Sequence, residues 1–359
     1  MANTKRKAVQ AERTLFKPNF RYTDKMVADL TQIAAGRELI LHSPFIPKWE
    51  VSLRREAIIR SAHSSTAIEG NRLSLKQVSD LSEGREIMAT RKDKQEVLNY
   101  LAALEKIDAL TDRKTITGKN VLRIHQMLTK GTLENPVDSG AYRKQYVIVG
   151  NRATGEIIFR PPANEEVPRL MKALITWTDS SQAKALDPVI EAGIAHYEFV
   201  RIHPFVDGNG RSARVLATLI LYLRGFDAKQ FFCLDDYYDS DRPAYYRVLR
   251  SVDPKALDIT GWLEYFVEGV KVSIAAVKER IARLSSERLR RTTQGQIALT
   301  ERQMRIVEGL LHEGRLSAGD VARMFKITRQ AALKEMNKLV DIQVVKLMGK
   351  GRGAYYSMV

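Results

Sequence analysis

The stretch HPFVDGNGRSAR, residues 203–214, places a run of small and charged side chains between two predicted helices. Pro204 ends the helix before it, because proline cannot continue the backbone hydrogen-bond ladder. Gly208, Asn209 and Gly210 then stand at the entry of the next helix, where small residues let backbone N–H groups approach an anion closely. The dipole of that helix also favours negative charge at this end. The stretch therefore predicts an anion-binding loop.

Four charged or ionisable side chains around this loop point to phosphate chemistry. Arg211 and Arg214 are three residues apart, so they share one helix face, and guanidinium groups suit the oxygen atoms of di- and triphosphates. Asp207 offers the hard carboxylate oxygen that Mg²⁺ takes when it bridges phosphates. His203 is the obvious general base, since imidazole titrates near neutral pH. Together these residues predict a nucleotide-dependent transfer site.

Outward from the loop, most of the chain shows the spacing of amphipathic helices. Asp187 and Pro188 are typical of a helix start, and that helix runs to Ile202. The other predicted helices are Tyr22–Ile40, Ser52–Ile68, Lys76–Leu81, Glu96–Leu110, Lys114–Gly131, Val167–Trp177, Arg211–Leu223, Tyr245–Val252 and Trp262–Arg291. Two β-like runs, Tyr146–Val149 and Glu156–Phe159, flank a glycine-containing turn and predict a hairpin. The fold class is therefore mainly α.

Composition and charge narrow the function classes. The chain has 359 residues, a formal net charge of +16 and a pI near 9.8, which favours a polyanionic partner such as nucleic acid or nucleotide phosphates. A single cysteine, Cys233, rules out an intrachain disulfide. No apolar run is long enough to cross a bilayer, and the basic N-terminus lacks the apolar stretch of a signal peptide. These features predict a cytoplasmic protein with no membrane partner.

The last part of the chain has a pattern of its own after a predicted linker at 292–300. Three helices are expected. The first is Arg302–Leu311, the second follows a capping box that begins at Ser317, and the third is Arg329–Val340, which Thr328 caps. Two strands, at 344–348 and 354–358, enclose a glycine-rich turn. Residues 301–359 carry eleven Lys and Arg against six Asp and Glu. The pattern predicts a small, basic, separate domain.

The 203–214 stretch resembles the signature of the Fic family, His-x-Phe-x-Asp/Glu-Gly-Asn-Gly-Arg-x-x-Arg, at every specified position. Gly140–Arg143 and the hairpin after it look like the family's flap, and Val189–Ile202 looks like the helix before its active-site loop. The resemblance implies a Fic-type helical core with a β-hairpin flap. It also implies a protein adenylyltransferase, a nucleotidyltransferase that moves AMP from Mg·ATP to a protein hydroxyl and releases pyrophosphate. A phosphorylating branch departs from Gly-Asn-Gly, so the intact loop favours AMP transfer.

The resemblance also implies roles for single residues. His203 would deprotonate a Ser, Thr or Tyr hydroxyl of a target protein or of the enzyme itself, Asp207 would hold Mg²⁺, and Phe205 would anchor the loop in the core. The hairpin at 146–159 would clamp an extended target segment by adding a strand to its edge. The residues expected to contact ATP are Gly208, Asn209, Gly210, Arg211, Arg214 and, around adenine, Tyr245 or Tyr246.

A second motif, Ser65-Thr66-Ala67-Ile68-Glu69-Gly70, matches the family's inhibitory pattern Ser/Thr-x-x-x-Glu-Gly/Asn. Ser65 and Glu69 are four residues apart and share a helix face. A carboxylate in the phosphate site would pair with Arg214 and compete with the γ-phosphate for the same guanidinium group. The alternative interpretation is an ordinary helix end with a surface glutamate at Glu69 and a terminating glycine at Gly70.

The C-terminal segment resembles a winged helix-turn-helix. Residues at the start of the third helix would reach base edges and phosphates, while basic residues of the wing would reach the backbone. The nucleic-acid candidates are Thr328, Arg329, Gln330, Lys334, Lys350 and Arg352. Winged helices also act as dimerisation or protein-docking modules, so DNA, a protein and a second copy of the chain all remain open as partners.

The predicted domains are an N-terminal helical region with the inhibitory helix (1–113), a catalytic domain with the following long helix (114–291), the linker (292–300) and the winged helix-turn-helix domain (301–359). Two alternative functions remain open. One is a DNA-binding transcriptional regulator that uses the Fic portion as a nucleotide sensor. The other is a de-AMPylase, which removes AMP at the same site.

Overall fold

The computed structural model describes residues 16–43, 47–107, 115–150, 157–226, 230–289, 299–342, 344–349 and 353–358. The fold is mainly α. The helices are α1 (Asp24–His42), α2 (Pro47–Ile68), α3 (Leu75–Ser82), α4 (Arg91–Glu105), α5 (Gly118–Thr129), α6 (Val167–Thr178), α7 (Ser181–Lys184), α8 (Pro188–Ile202), α9 (Asn209–Leu223), α10 (Asp235–Ser240), α11 (Arg242–Arg250), α12 (Thr260–Leu289), α13 (Glu301–Glu313), α14 (Ala318–Phe325) and α15 (Arg329–Asp341). The strands are β1 (Val149–Gly150), β2 (Ile157–Phe159), β3 (Val345–Met348) and β4 (Tyr355–Met358).

The centre of the first compact unit is α8, which is followed by the 203–208 turn and α9. Helix α8 is buried on nearly every side, as its almost continuous apolar sequence requires. Asp187 caps it, accepting a hydrogen bond from the Val189 N–H at 2.8 Å. Gly193 brings α12 close: a Cβ there would lie 2.9 Å from Leu263, and the Trp262 indole donates to the Gly193 carbonyl at 2.8 Å. This packing fixes the end of α8, where the loop begins.

Several helices begin earlier than the sequence pattern indicates. Helix α2 begins at Pro47 rather than Ser52, because proline is tolerated in the first turn of a helix. Helix α4 begins at Arg91, after Thr90 accepts a hydrogen bond from the Asp93 N–H. Helix α11 begins at Arg242 rather than at Tyr245, and Asp241 caps it. The short helix α10 was not predicted at all.

The predicted hairpin forms, but its first strand is shorter than expected. Strand β1 pairs antiparallel with β2, with Val149 opposite Phe159. Tyr146–Ile148, predicted as strand, is outside the ladder. The reason lies across the hairpin, where Pro161 and Pro162 follow β2 and cannot donate to a ladder. The turn at 151–156 lies outside the described residues.

The second compact unit consists of residues 40–56 and 280–359. Its core is formed by α13, α14, α15 and the antiparallel pair β3–β4, in which Val345 is opposite Met358. Ser317 and Thr328 cap α14 and α15, as predicted. Val51 packs into this core with Ile306 and Val307, so the unit also takes in residues that the sequence pattern assigns to other regions. Of the predicted linker, 292–298 lies outside the described residues. In the described part of the chain, no helix is long and apolar enough to span a membrane.

Candidate active site

The loop between α8 and α9 is held in shape by its own side chains. His203 ends α8 in the left-handed conformation, with φ 51° and ψ 59°. Phe205 is fully buried. The Asn209 side chain then closes the turn: its Oδ1 accepts from the Phe205 N–H at 2.9 Å, and its Nδ2 donates to the Phe205 carbonyl at 2.9 Å. Because both ends of the amide bind the Phe205 backbone, Asn209 would contribute to an anion site through its own backbone.

The loop leaves the first turn of α9 without a side-chain cap. Gly208 is the N-cap, with φ 74°, and it has no side chain to accept a hydrogen bond from the turn. The first N–H groups of any α-helix have no partner within the helix. The amide groups of Asn209, Gly210 and Arg211 are therefore in the positions that bind an anion at a helix start.

The His203 imidazole is neutral and is oriented by the end of its own helix. Its Nδ1 lies 3.3 Å from the Val200 carbonyl, which can only accept, so Nδ1 carries the proton. The lone pair is then on Nε2. Burial lowers the pKa of His203 to about 4, against the opposing effects of the Val200 carbonyl and Glu69. At neutral pH the ring is therefore in the form that a general base requires.

Asp207 is the exposed carboxylate of the loop. Its side chain is 50% exposed, and its Oδ1 accepts a hydrogen bond from the Gly208 N–H at 2.6 Å. Within the described residues, no group of three or more His, Cys, Asp or Glu side chains is placed to hold a metal ion. Asp207 is a single carboxylate, so it could hold Mg²⁺ only if other oxygen ligands completed the coordination. The phosphates of a nucleotide provide such oxygens.

Arg211 is enclosed beneath the loop. The guanidinium group is 2% exposed and lies 3.4 Å from Glu96 Oε1 and 3.7 Å from Asp207 Oδ1. Its Nε and Nη1 have no hydrogen-bond partner within the described structure. Glu96 in turn accepts a hydrogen bond from the Asn71 side chain. For Arg211 to bind a phosphate, as the sequence suggests, this enclosed guanidinium group would have to become accessible.

Arg214 binds the predicted inhibitory segment directly. Its Nε donates to the Ser65 hydroxyl at 2.7 Å, and its Nη2 donates to the Ser65 carbonyl at 2.9 Å and to Glu69 Oε1 at 2.8 Å. Asp235 Oδ1 lies 3.3 Å from the same Nε. The guanidinium group is buried, and its charge is matched by two carboxylates. Burial raises the pKa of Asp235 to about 6, although Arg214 opposes the shift.

The Glu69 carboxylate occupies the space above the first turn of α9. A Cβ atom built on Gly210 would lie 2.2 Å from Glu69 Oε1 and 3.1 Å from Arg214 Nη1. Only a glycine at position 210 leaves room for this contact. Gly70 ends the segment with φ 96°, a conformation that favours glycine. The structure thus brings Ser65, Glu69 and Arg214 together as the sequence predicts.

Three residues that the sequence analysis did not single out support this arrangement. Arg143, quoted there only as part of the flap, is buried and donates from Nε to the His203 carbonyl at 2.8 Å, while the Pro204 carbonyl accepts from its backbone N–H at 2.9 Å. Asp236 accepts hydrogen bonds from Arg60 and Ser64 of α2, each at 2.6 Å. Glu96 is the third. All are far from the loop in sequence, so no local signal could identify them.

The expectation for Tyr245 is corrected by the structure. Its side chain is 1% exposed, its hydroxyl lies 3.2 Å from His196 Nε2, and its ring packs against Tyr238 with centroids 4.6 Å apart. This is a core aromatic cluster rather than an open adenine pocket. Tyr246 is 38% exposed, and its hydroxyl donates to the Ile68 carbonyl at 3.3 Å. Of the two tyrosines, only Tyr246 is accessible.

In the second compact unit, the start of α15 is open to solvent. Thr328, Arg329, Gln330 and Lys334 are all exposed. The Thr328 hydroxyl caps the helix, accepting from the Ala331 N–H at 3.2 Å. Lys350 and Arg352, the two predicted wing residues, lie outside the described residues. Leu333, on the same helix, is 37% exposed.

The first unit is thus a helical domain built around an uncapped helix start, with a neutral imidazole and two buried arginines nearby. Residues 115–221 match the family model described as Fic/DOC family. The matched residues include α8, the loop after it and most of α9.

Known proteins that resemble the chain agree with this assignment. A "Protein adenylyltransferase Fic" from Drosophila melanogaster is 30% identical over 221 residues, which cover 58% of this chain and 43% of that protein. The chain thus spans less than half the length of the curated relatives it matches. A Fic family protein from Desulfovibrio desulfuricans has the same fold, with a TM-score of 0.64 at 24% identity over 96% of this chain and 98% of that one. Fic-1 from C. elegans gives 0.57 at 26% identity, over 73% and 74%.

Proposed function

We propose that the protein is a protein adenylyltransferase that transfers AMP from Mg·ATP to a Ser, Thr or Tyr hydroxyl of a target protein or of itself, and that Glu69 inhibits it. The observation that carries the proposal is the neutral His203 ring, with its lone pair on Nε2, beside the uncapped start of α9. The relatives named as protein adenylyltransferases support the same activity.

His203 acts as the general base in the proposed reaction. Nε2 takes the proton of the target hydroxyl while that oxygen attacks the α-phosphate of ATP, forming a new P–O bond as the bond to pyrophosphate breaks. The N–H groups at the start of α9 stabilise the charge that builds on the phosphate oxygens, because they are already oriented before the reaction begins. Nδ1–H stays bonded to the Val200 carbonyl, which keeps the ring aligned.

Asp207 is the residue that would hold Mg²⁺. A single half-exposed carboxylate fits an ion that arrives with the nucleotide, because protein-bound Mg²⁺ usually keeps one or two carboxylates and fills its other positions with phosphate oxygens and water. The bound ion would supply positive charge to the α- and β-phosphates.

Glu69 would inhibit by occupying the phosphate site. Its carboxylate lies on Gly210 and pairs with Arg214, whose guanidinium group is otherwise buried. An incoming γ-phosphate would compete for the same guanidinium group. Asp235 and the Ser65 hydroxyl both lie at Arg214 Nε, so these two contacts remain when the Glu69 side chain alone turns away.

The target protein would bind at the hairpin. Tyr146, Ile148 and Ile157 are 51%, 47% and 45% exposed, which leaves apolar side chains beside a short, open strand edge. An extended segment that adds to this edge would gain main-chain hydrogen bonds and contacts with these side chains. Arg143 connects the base of the hairpin to the His203 carbonyl, so a segment bound here lies near the catalytic loop.

We further propose that the C-terminal unit is a winged helix that binds DNA. The supporting observation is the exposed, basic start of α15, with Arg329 and Lys334 at the positions that a recognition helix places in a groove. The competing function, a transcriptional regulator that only senses nucleotide, makes use of the same surface. It predicts that ATP changes DNA affinity without any covalent product. We also propose that the protein is cytoplasmic. A homodimer is a further proposal, which the molar mass of the protein in solution would test.

Labelled ATP tests the main proposal. Purified Glu69→Gly protein is incubated with ATP labelled on the α-phosphate or on the γ-phosphate, alone and with cell lysate. Adenylyl transfer predicts covalent label from the α-phosphate only, abolished by His203→Ala and unaffected by Glu86→Gly, an exposed glutamate away from the site. Label from the γ-phosphate would indicate phosphorylation instead. No covalent label with a DNA affinity that depends on ATP would favour the regulator, and loss of AMP from premodified protein would favour the de-AMPylase.

A further inference from the structure

We propose that His125 is a positioning residue for AMP transfer, which fixes the backbone of Asp207 and couples it to the base of the hairpin. The proposal rests on the proposed function for its kinetic consequence and on the geometry for everything else. His125 lies on α5, a helix that contributes no residue to the signature, and its side chain is completely buried.

The two ring nitrogens of His125 have opposite roles. The Gly140 N–H donates to Nδ1 at 2.9 Å, so Nδ1 is an acceptor and carries no proton. Nε2 therefore carries the proton, and it donates to the Asp207 carbonyl at 3.0 Å. The two bonds select one neutral tautomer. A histidine that only filled space in a core would need neither bond.

The ring also supports the loop by packing. It stacks on Phe205 with centroids 3.6 Å apart and the planes inclined by 4°. It lies against Gly208, where a Cβ atom would be 3.5 Å from Nε2 and only 2.9 Å from the Thr129 methyl group. The His125 side chain thus contacts residues 205 and 207 of the loop, and together with Thr129 of the same helix it encloses residue 208.

The other bond ties the hairpin to the same ring. Gly140 precedes Arg143 and has φ 79°, and a Cβ atom there would lie 3.0 Å from Gln126 Cβ and 3.2 Å from the Leu122 carbonyl of α5. Position 140 is therefore pressed onto α5 at the point where the hairpin segment begins. Through His125, the backbone of the proposed magnesium ligand and the base of the proposed target-binding hairpin are held by one group.

Two amide substitutions separate the two bonds. In His125→Gln the side-chain NH₂ can occupy the place of Nε2 and keep the Asp207 bond. In His125→Asn the shorter amide oxygen can occupy the place of Nδ1 and keep the Gly140 bond. His125→Phe keeps the stacking and neither bond. Asn99→Ala is the structural control, because Asn99 donates to the carbonyls of Leu128 and Lys130 at the end of the same helix and does not touch the loop.

All variants are made in the full-length Glu69→Gly protein, and AMP transfer is measured with varied ATP and Mg²⁺. We expect kcat to fall about 10- to 100-fold in His125→Asn and His125→Phe, since a small misplacement of a reacting group has effects of that order. KM for ATP should change less than threefold, and His125→Gln should recover most of kcat. Asn99→Ala should lower the melting temperature while kcat stays within twofold.

Hydrogen exchange at the Gly140 amide gives a second measurement that needs no activity. Protection should persist in His125→Asn and be lost in His125→Gln and His125→Phe. The proposal is overturned if His125→Phe retains kcat, if kcat follows the melting temperature across all variants including Asn99→Ala, or if Gly140 exchange is the same in all of them. If the Glu69→Gly protein transfers no AMP at all, the proposed function fails, and the exchange pattern still decides whether His125 holds the hairpin base.

Discussion

Removing the Glu69 carboxylate should tighten the binding of Mg·ATP by a predictable amount. Glu69 Oε1 accepts a hydrogen bond from Arg214 Nη2 at 2.8 Å, with side chains that are 26% and 2% exposed. A hydrogen bond to a charged group in such a position contributes about 1.5–3 kcal/mol. ATP must break this bond to bind, and each 1.4 kcal/mol is a factor of ten. Glu69→Gly should therefore lower Kd roughly 10- to 150-fold.

A matched substitution separates charge from volume. Glu69→Gln retains an oxygen that accepts from the charged Arg214 guanidinium group but loses the negative charge of the carboxylate, so it removes only part of the interaction. We expect its Kd to lie between those of the wild type and Glu69→Gly. Isothermal titration calorimetry with Mg·ATP measures all three, with Glu86→Gly as the exposed control. If Kd stays within threefold in both Glu69 variants, the carboxylate does not compete with the nucleotide.

Three further predictions concern the loop, the core and the pH dependence. Asn209→Ala removes both bonds to the Phe205 backbone and leaves a buried N–H unpaired, so the free energy of unfolding should fall by about 1–3 kcal/mol in urea titrations; an unchanged midpoint would show that the loop does not depend on this amide. Gly193→Ala pushes a methyl group to 2.9 Å from Leu263 and should cost about 1–3 kcal/mol, whereas Gly261→Ala on α12 meets nothing within 4 Å and should not destabilise. If His203 is the proposed general base, which acts unprotonated, kcat/KM should rise with pH through the His203 pKa of about 4 and stay level above it, and Glu69→Gly should move this rise to lower pH because Glu69 raises that pKa; a rise centred near pH 6.5 would contradict the lowered pKa.

The parts of the molecule that could be predicted from the sequence depend on interactions between neighbouring residues. The caps at Asp187, Ser317 and Thr328 are bonds to backbone groups two or three residues away, and proline and glycine mark the ends of α8 and the start of α9. The loop between α8 and α9 is equally local, because its conformation depends on Gly208 and on the Asn209 amide. Predicting the contact of Ser65 and Glu69 with Arg214 required one further step. The inhibitory motif had to be paired with the 203–214 loop, although Glu69 and Arg214 are 145 positions apart.

The rest depends on contacts between distant residues that have no signal along the chain. Nothing near Arg214 announces that Asp235 will lie beside it, and nothing near Asp207 points to His125 on α5. Tyr245 shows why spacing alone is ambiguous: an aromatic residue on a helix reads the same in a pocket and in a core, and here the hydroxyl is satisfied by His196. The first hairpin strand was overestimated for a similar reason, since its length was set by the prolines that follow its partner.

The left-handed backbone of His203 affects how an inactive reference protein should be chosen. Alanine at this position would keep φ near 51° only at a cost of about 1–3 kcal/mol, and it would also lose the donor to the Val200 carbonyl. Asparagine tolerates this region of backbone space, and its side-chain NH₂ can donate to the same carbonyl, yet it has no basic nitrogen. His203→Asn is therefore the better inactive reference for testing the proposed reaction, because it would abolish the proposed proton transfer while keeping the bond at the end of α8.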